Sequence, residues 1–438
     1  MNGDARHITR RPEAWQSLVH VCRRWRSIVF GSPRHLNLQL VCRGGTPARD
    51  TLDVWPTLPL VIWCYSIRIV DNIIAVLERR DRVCHISILE IESLELELLS
   101  AAMQQPFPEL TYLALHFHPY STTAPVIPDS FLGRSAPRLE LLMLDRIPFP
   151  GLPNLLLSAT HLVDLTLYKI PHSGYFSPEA MVTALSTLTG LSSFFLGFQS
   201  PRSCPDQESR SPPPSTCSVL SALTRFIFEG VSEYLDDLVV HIDTPRLDKL
   251  EITFFNDIVF DTPQFMQFIS RTPMSRALEK AYIIHHDYSV SLGSSPPIPG
   301  DEKVKVGILC QGLDWQVSSM EQVCTSCLPP LSMLEDLYIH EGPDAQRDWN
   351  DDIENGLWLQ LLHPFINVKN LYLSEYFALR IGPALKELPE GRTADMLPAL
   401  QNIFLGGLQP SGAVQEDFEQ FVASRQVTDR PIAISLWD

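Results

Sequence analysis

The feature that most constrains the fold of this chain is a short hydrophobic pattern, L-x-x-L-x-L with bulky apolar substitutes, that recurs along most of the sequence. Its alternating second half predicts a short strand with two apolar side chains on one face. A single unit cannot bury that face alone, so the repeats are expected to stack on one another. The eleven copies are Val83-Ile86-Ile88, Leu110-Leu113-Leu115, Leu139-Leu142-Leu144, Leu162-Leu165-Leu167, Leu191-Phe194-Leu196, Leu223-Phe226-Phe228, Leu247-Leu250-Ile252, Leu278-Ala281-Ile283, Leu334-Leu337-Ile339, Val368-Leu371-Leu373 and Leu400-Ile403-Leu405.

The spacing of the copies leaves room for a strand and a return segment in each unit. It averages about 29 residues if the alternating run Val304-Val306-Ile308 counts as a degenerate copy. Helical returns are predicted where a proline or an amphipathic run follows a capping residue. These helices are Pro178 to Leu185 after Ser177, Pro263 to Ile269 after Thr262, and Glu416 to Val422. The predicted fold class is therefore α/β, and a string of α/β units in an open sheet is the rival arrangement.

The strand pattern and the prolines that precede several strands resemble leucine-rich repeats of the longer, helix-bearing kind. The resemblance covers roughly residues 80–408 and implies a leucine-rich-repeat-like solenoid, or horseshoe, of strand-plus-helix repeats. Such repeats usually carry Asn or Cys three residues after the last strand leucine. Here those positions hold other residues, including Ile91, Ile147 and Ile170, so the repeats are degenerate and the solenoid is expected to be irregular.

An amphipathic helix is predicted near the N-terminus, from Ser17 to Phe30. Helical spacing puts six of its residues on one apolar face. They are Leu18, Val21, Cys22, Trp25, Ile28 and Val29. Trp25 is expected to be buried there and to anchor the helix to a first strand over His35 to Cys42.

This helix carries a second resemblance. Val21-Cys22-Arg23-Arg24-Trp25-Arg26, with the Ser-Pro break and strand that follow, resembles the second half of an F-box. Residues 46–60 continue like the F-box and leucine-rich-repeat proteins of mushroom-forming fungi. The resemblance implies the substrate-recognition subunit of a cullin-RING (SCF-type) ubiquitin ligase. Its F-box would bind a Skp-type adaptor, and its repeats would bind a protein target.

The expected adaptor surface is Leu18, Val21, Cys22 and Trp25. Residues 1–16 contain nothing like the Leu-Pro and acidic-hydrophobic helix with which an F-box opens, so adaptor binding is expected to be weak or lost. A non-ligase interaction scaffold with a non-functional F-box remnant is the alternative. The predicted domains are a partial, α-helical F-box over 1–34 and a degenerate repeat domain over 35–438. Proline-rich loop insertions are expected near 200–218 and 290–301.

Charge and composition narrow the class of partner. The chain carries −17 overall, whereas its first 50 residues hold nine arginines against three acidic residues. The acidic remainder repels nucleic acid and anionic membranes, so neither is expected as a partner. The sequence shows no membrane-length apolar run, no secretory leader and no glycosylation sequon, and its nine cysteines are scattered. A cytoplasmic or nuclear protein is expected.

The sequence contains no catalytic or phosphate-binding motif, so an enzyme is not expected, nor any cofactor or metal. Cys324 and Cys327 form a lone C-x-x-C without the second pair that a zinc site needs. His285-His286-Asp287 is predicted to be a surface turn. The acidic segment from Asp348 to Glu354 lacks the glycine that a calcium loop requires.

One set of residues remains as a candidate binding surface. The residue between the last two apolar positions of each copy points away from the core. In the C-terminal half this position is aromatic and predicts a single column of Tyr282, Tyr338, Tyr372 and Phe404. Exposed aromatic residues are typical anchors for a protein target. Cross-strand aromatic pairing for the stability of the sheet is the alternative explanation.

Overall fold

The computed structural model describes most of the chain and divides it into two compact units, Met1–Pro205 and Asp206–Asp438. The described residues are 21–31, 39–43, 48, 52, 58–65, 70–121, 123–201, 217–255, 262–272, 279–294, 303–326, 331, 333–343, 345, 353–389, 395–407, 412–426 and 431–437. Within them, no helix is both long enough and apolar enough to cross a membrane.

The described part of the first unit alternates strands with helices. Its elements are α1 (Arg23–Gly31), β1 (Leu40–Cys42), β2 (Leu60–Cys64), α2 (Val70–Leu77), β3 (Val83–Ile91), α3 (Ser93–Ala102), β4 (Tyr112–Phe117), β5 (Leu141–Asp145), α4 (Leu152–Leu156), β6 (Asp164–Ile170), α5 (Pro178–Leu185) and β7 (Ser193–Phe198). Strands β1 to β7 pair in chain order, and each of these pairs is parallel. The predicted α/β class is confirmed here.

A repeated backbone bulge shapes the strand ends of this unit. Glu90, Arg146 and Lys169 each lie two residues beyond the last apolar residue of a repeat copy, and each has a positive φ of 50 to 57°. The pairing of neighbouring strands shifts register at Glu90 and Lys169, where the bulged strand has one extra residue. The next residue in each case is an isoleucine, and Ile91, Ile147 and Ile170 are all buried. The position that usually holds Asn or Cys in leucine-rich repeats thus contributes to the apolar core.

The second unit also alternates strands and helices. Its described elements are β8 (Ser218–Val219), β9 (Arg225–Gly230), α6 (Ser232–Val239), β10 (Ile242–Asp243), β11 (Lys249–Phe255), α7 (Pro263–Arg271), β12 (Lys280–His286), β13 (Ser289–Gly293), β14 (Val304–Leu309), α8 (Leu313–Ser326), β15 (Asp336–Glu341), α9 (Asn355–Leu362), β16 (Asn370–Leu373), α10 (Glu375–Lys386), β17 (Asn402–Gly406), α11 (Gly412–Gln426) and β18 (Ala433–Trp437). Its main sheet runs β9-β11-β14-β13-β12-β15-β16-β17-β18, and β8 pairs with β10 separately.

The repeat pattern correctly predicts the strands. The alternating half of all eleven copies lies in a strand, and every described residue of the copies is buried because the apolar positions face the core. The degenerate run Val304-Val306-Ile308 is strand β14.

The strands of this sheet depart from chain order at β12. This strand pairs with β13 and β15, and β13 and β14 lie between β12 and β11. Strand β13 is antiparallel to both of its neighbours. The loop insertion expected over 290–301 is therefore wrong for residues 290–293, whose alternating Val290 and Leu292 are buried. Most of the other predicted insertion, near 200–218, lies outside the described residues.

The predicted helices are present, but one predicted cap is wrong. Ser177 caps α5 as expected, because its Oγ accepts a hydrogen bond from the Ala180 N–H at 3.3 Å. Thr262 makes no such bond at the start of α7. Instead, the Phe265 N–H donates to Oδ1 of Asp236, which lies on the preceding helix, at 2.8 Å. The third predicted helix lies within α11.

The N-terminal helix is not docked as expected. Helix α1 begins at Arg23, and Trp25 is 48% exposed, so the prediction that Trp25 is buried against the first strand is wrong. Val21 and Ile28 are 65% and 57% exposed. Leu18, which was predicted on the same face, lies outside the described residues. The apolar face of α1 is therefore uncovered by the described part of the chain.

Candidate functional site

An aromatic ladder runs across four parallel strands of the second unit. Tyr282, Tyr338, Tyr372 and Phe404 are direct register partners on β12, β15, β16 and β17. The centroids of successive rings are 4.3, 4.1 and 4.4 Å apart, and successive ring planes are within 10° of parallel. The four residues predicted to form one column thus form a continuous stack on the face of the sheet opposite the core positions. Each inner ring has both faces covered by its neighbours.

A polar row lies beside the ladder, two residues earlier on the same strands. Lys280 pairs with Asp336 at 3.4 Å, and the Asn370 amide donates to Asp336 at 2.6 Å. The Asn402 amide then donates to the Asn370 oxygen at 2.7 Å. These cross-strand bonds hold the four strands in register next to the aromatic stack, because each bond joins directly opposed residues.

Trp437, on β18, completes the aromatic surface. Its ring is nearly perpendicular to Tyr338 and Tyr372, with centroid distances of 6.1 and 5.7 Å. The faces of Tyr338 are already covered within the ladder, so the indole meets the edges of the tyrosine rings. Its Nε1–H donates to the Leu373 carbonyl at 3.2 Å, which fixes the ring across strand β17.

Two glycines make room for this arrangement. A Cβ on Gly406 would lie 2.9 Å from Nε1 of Trp437, so the indole can lie over β17 only because Gly406 has no side chain. A Cβ on the next residue, Gly407, would lie 3.5 Å from an Oε2 of Glu375. Trp437 and Glu375 therefore approach adjacent glycines, and both side chains line the same groove.

Tyr282 and Tyr338 of the ladder, Trp437 and the two glycines line a groove of about 910 Å³ at the carboxyl ends of these strands. Two other segments complete its lining. One follows β15 and contributes His340, Glu341, Gly342, Pro343 and Ala345, and the other is the start of α10 with Ser374, Glu375, Tyr376 and Leu379. Crevices at the carboxyl ends of parallel strands are frequent ligand sites in α/β proteins.

The groove is lined by two acidic side chains, Glu341 and Glu375. Within the described part of the chain, neither Glu341 nor Glu375 has an ion-pair partner. The hydroxyl of Ser374, which precedes α10, does not cap that helix and has no hydrogen-bond partner. The ring of Tyr376 is occupied, because the Arg380 guanidinium lies 3.5 Å from its centroid. A half-buried indole and two carboxylates without an ion-pair partner among the described residues thus line the groove.

The phenol of Tyr338, an inner ring of the ladder, is held neutral. Burial, together with a hydrogen bond to the Tyr372 side chain, raises the pKa of the Tyr338 phenol well above its usual value of 10. The phenol is therefore neutral at physiological pH and acts as a hydrogen-bonding group. This chemistry suits recognition and not proton transfer.

A buried histidine lies beneath the groove, and the predicted surface turn over residues 285–287 is wrong at this position. His285 is fully buried in β12, and its Nδ1 lies 3.0 Å from Oε1 of Gln316. The Gln316 amide donates to the carbonyls of His286 and Cys310 at 2.7 and 3.3 Å. Burial lowers the pKa of His285 to about 3, so its imidazole is neutral and supports the packing of α8 on the sheet.

The remaining sequence-based candidates are not assembled into a site. Among the described residues, no group of three or more His, Cys, Asp or Glu side chains is arranged to hold a metal ion. Cys324 is buried in α8, and Cys327 lies outside the described residues, as does most of the acidic segment. Of the expected adaptor surface, Val21, Cys22 and Trp25 lie exposed at or before the first turn of α1.

The sequence identified the ladder but missed the groove. Trp437 belongs to no copy of the repeat pattern, although the alternation of Ile434, Leu436 and their polar neighbours is a weak strand signal. Glu341 and Glu375 follow strands at the same edge of the sheet, which was the available clue to their proximity. No protein-family model and no curated protein sequence matches the chain.

Proposed function

We propose that this protein is a non-enzymatic interaction protein that holds a segment of a protein target in the groove of its second unit. The observation that carries the proposal is the four-ring ladder with Trp437 set across it. Aromatic residues are enriched among the anchors of protein interfaces because each buries a large rigid surface.

The size of the groove agrees with this use. A volume of about 910 Å³ is near the upper end of the range for ligand pockets, about 300–1,000 Å³, and accepts several side chains of a peptide segment. Leu379 is 49% exposed at its edge and provides additional apolar surface. Simple pairing within the sheet explains the stacked ladder, but it does not explain an unpaired acidic rim beside an accessible indole.

The test is site-specific cross-linking in cells of the source organism. A photoreactive phenylalanine in place of Leu379 is expected to capture a discrete protein, and adding Tyr338→Ala is expected to abolish that product. The control is the same photoreactive residue at Leu94, which is 67% exposed on α3. Equal capture from both positions, or capture insensitive to Tyr338→Ala, would contradict the proposal.

A second proposal concerns the setting in which the target is held. The fold is proposed to be an irregular leucine-rich-repeat-like solenoid, and the chain to be a target receptor of a cullin-RING ubiquitin ligase. The uncovered apolar residues Val21, Trp25 and Ile28 support an adaptor contact through α1. The alternative is a scaffold without a link to a ligase.

Adaptor binding is measured with a purified Skp-type adaptor. Residues 1–438 are expected to bind weakly, because a standard interface buries about 800 Å² per partner and one short helix offers less. Fusing an F-box opening helix ahead of Ile8 is expected to raise the affinity clearly, and Trp25→Ala is expected to remove the gain. If the fusion does not bind, the scaffold is favoured over the ligase receptor.

A further inference from the structure

The chemistry of the groove narrows the kind of segment that it accepts. The ring faces of Tyr338 are covered by its neighbours in the ladder, so a ligand in the groove meets the edge and hydroxyl of this tyrosine. Trp437 lies across the edges of the ladder rings and is only half-buried. The exposed part of its indole is the open aromatic surface of the groove.

An open indole face attracts cations. The negative potential above an aromatic ring is greatest for tryptophan, and it binds ammonium and guanidinium groups. Arg380 on the neighbouring helix already shows the same contact, 3.5 Å from the centroid of Tyr376. The environment of Trp437 therefore favours a positively charged ligand over an apolar one.

The carboxylates favour the same sign of charge. Glu375 lies against Gly407, next to the glycine over which Trp437 lies, and Glu341 lines the same groove from the end of β15. The described part of the chain offers neither carboxylate a cationic side chain. A guanidinium can stack on the indole and still donate to a carboxylate in its own plane, which a compact ammonium cannot do.

We infer that the groove receives an arginine side chain, which stacks on the open face of Trp437 and donates hydrogen bonds to Glu375 and Glu341. The inference rests on the proposed function, since the arginine belongs to the bound segment of the target. The protein thus selects basic segments of its target.

The test uses a fluorescein-labelled peptide of alternating glycine and arginine, and the same peptide with every arginine replaced by citrulline. Citrulline keeps the shape of arginine and removes its charge. Fluorescence anisotropy is expected to show the arginine peptide binding the full chain at least about ten-fold more tightly. The double variant Glu341→Gln/Glu375→Gln is expected to remove most of this preference.

A matched control separates the groove from the general negative charge of the chain. Glu78→Gln/Glu97→Gln removes the same two charges from exposed positions on or beside helices of the first unit. It is expected to leave the affinity within about two-fold, because exposed charges at a distance are screened by salt. An equal loss in both double variants, or equal binding of the citrulline peptide, overturns the inference.

A third variant addresses the indole directly. Trp437→Leu is expected to weaken the arginine peptide by about ten-fold while leaving the citrulline peptide unchanged. A thermal melt reports whether β18 remains docked in this variant. If it does not, the inference is tested by Glu341→Gln/Glu375→Gln and its control, Glu78→Gln/Glu97→Gln. If Tyr338→Ala abolishes cross-linking to the target but the glutamine variants do not weaken the arginine peptide, the inference fails while the proposed function stands.

Discussion

Single backbone conformations determine where the isoleucines at the strand ends of the first unit lie. Glu90, Arg146 and Lys169 adopt a left-handed conformation that costs a residue with a Cβ about 1–2 kcal/mol. The bend brings the next residue, as at Ile170, into the core. The free-energy cost of each left-handed conformation is therefore offset by the burial of one large apolar side chain.

This strain predicts an unusual order of stability at Lys169. Glycine normally destabilises a strand relative to alanine, but at a positive φ it relieves the strain. Lys169→Gly is expected to be more stable than Lys169→Ala by about 1 kcal/mol, measured by urea unfolding. Both variants lose the contact of the lysine with Tyr168, so their difference isolates the backbone. A more stable alanine variant would mean that the left-handed conformation is not kept.

The glycine beneath Trp437 predicts a second effect at the residue scale. Gly406→Ala places a Cβ 2.9 Å from Nε1 of the indole, closer than such contacts allow, so the ring must move. The variant is expected to lower the affinity for the arginine peptide about ten-fold with a small effect on the melting temperature. Gly356→Ala is the control, since a Cβ there has no atom within 4 Å. Unchanged peptide binding in Gly406→Ala would show that the position of Trp437 does not matter.

At the scale of elements, one helix is capped by another. The Asp236 carboxylate on α6 accepts from the Phe265 N–H in the first turn of α7 and also faces the positive end of the helix dipole. Asp236→Ala is expected to cost about 1–2 kcal/mol in chemical unfolding, and Asp236→Asn less, because asparagine keeps an acceptor. Asp248→Ala, at an exposed position of the same unit, is expected to change little. Equal effects at the two positions would contradict the capping role.

The strands were predictable from the sequence because their apolar positions alternate and are all buried, as Leu337 and Ile339 illustrate. Which strands pair with one another was not predictable from the sequence. Strand β13 alternates equally well, but it lies beside a proline cluster, and only its pairing with β12 and β14 identifies it as an inserted antiparallel strand. The predicted cap of α7 was wrong for a related reason, because the residue that caps this helix lies 29 positions from Phe265.

The binding groove was predictable only in part for the same physical reason. Its ladder follows from periodicity within each repeat, because residues such as Tyr338 and Tyr372 occupy equivalent positions. Trp437 and Glu375 join the ladder through tertiary packing around two glycines, and no local pattern encodes that contact. His285 was wrongly predicted to be exposed because its polarity outweighed the apolar residues that precede it, Tyr282 to Ile284.

At the scale of the whole molecule, two histidines, His285 fully buried and His85 half-buried, predict how stability depends on pH. Burial lowers the pKa of His285 to about 3 and that of His85 to about 4, from a usual value near 6.5. Each therefore stabilises the folded state fully above pH 6.5, and this contribution is lost progressively as the pH falls from 6.5 toward the folded-state pKa. Stability is expected to decline on acidification through this range.

The contribution of His85 can be isolated by substitution. His85 stacks on Tyr112 at 3.9 Å, so His85→Phe keeps the ring contact and removes the ionisable group. Unfolding measured between pH 7.5 and 4 is expected to depend less on pH in the variant than in the wild type. His161→Ala, at an exposed position, is the control and is expected to leave the slope unchanged. A variant with the wild-type slope would show that His85 is not held neutral.

The position of Trp437 in the chain also has a consequence for synthesis. Strands β15 to β18 each pair with the strand next to them in the chain, so this part of the sheet can grow in the order in which the ribosome delivers it. The tyrosine stack is complete once β17 has emerged, whereas the indole arrives only with β18. A nascent chain that has folded through β17 therefore presents its stacked rings without the indole. Under the proposed function, the groove gains its selectivity for arginine later than it gains its tyrosine stack.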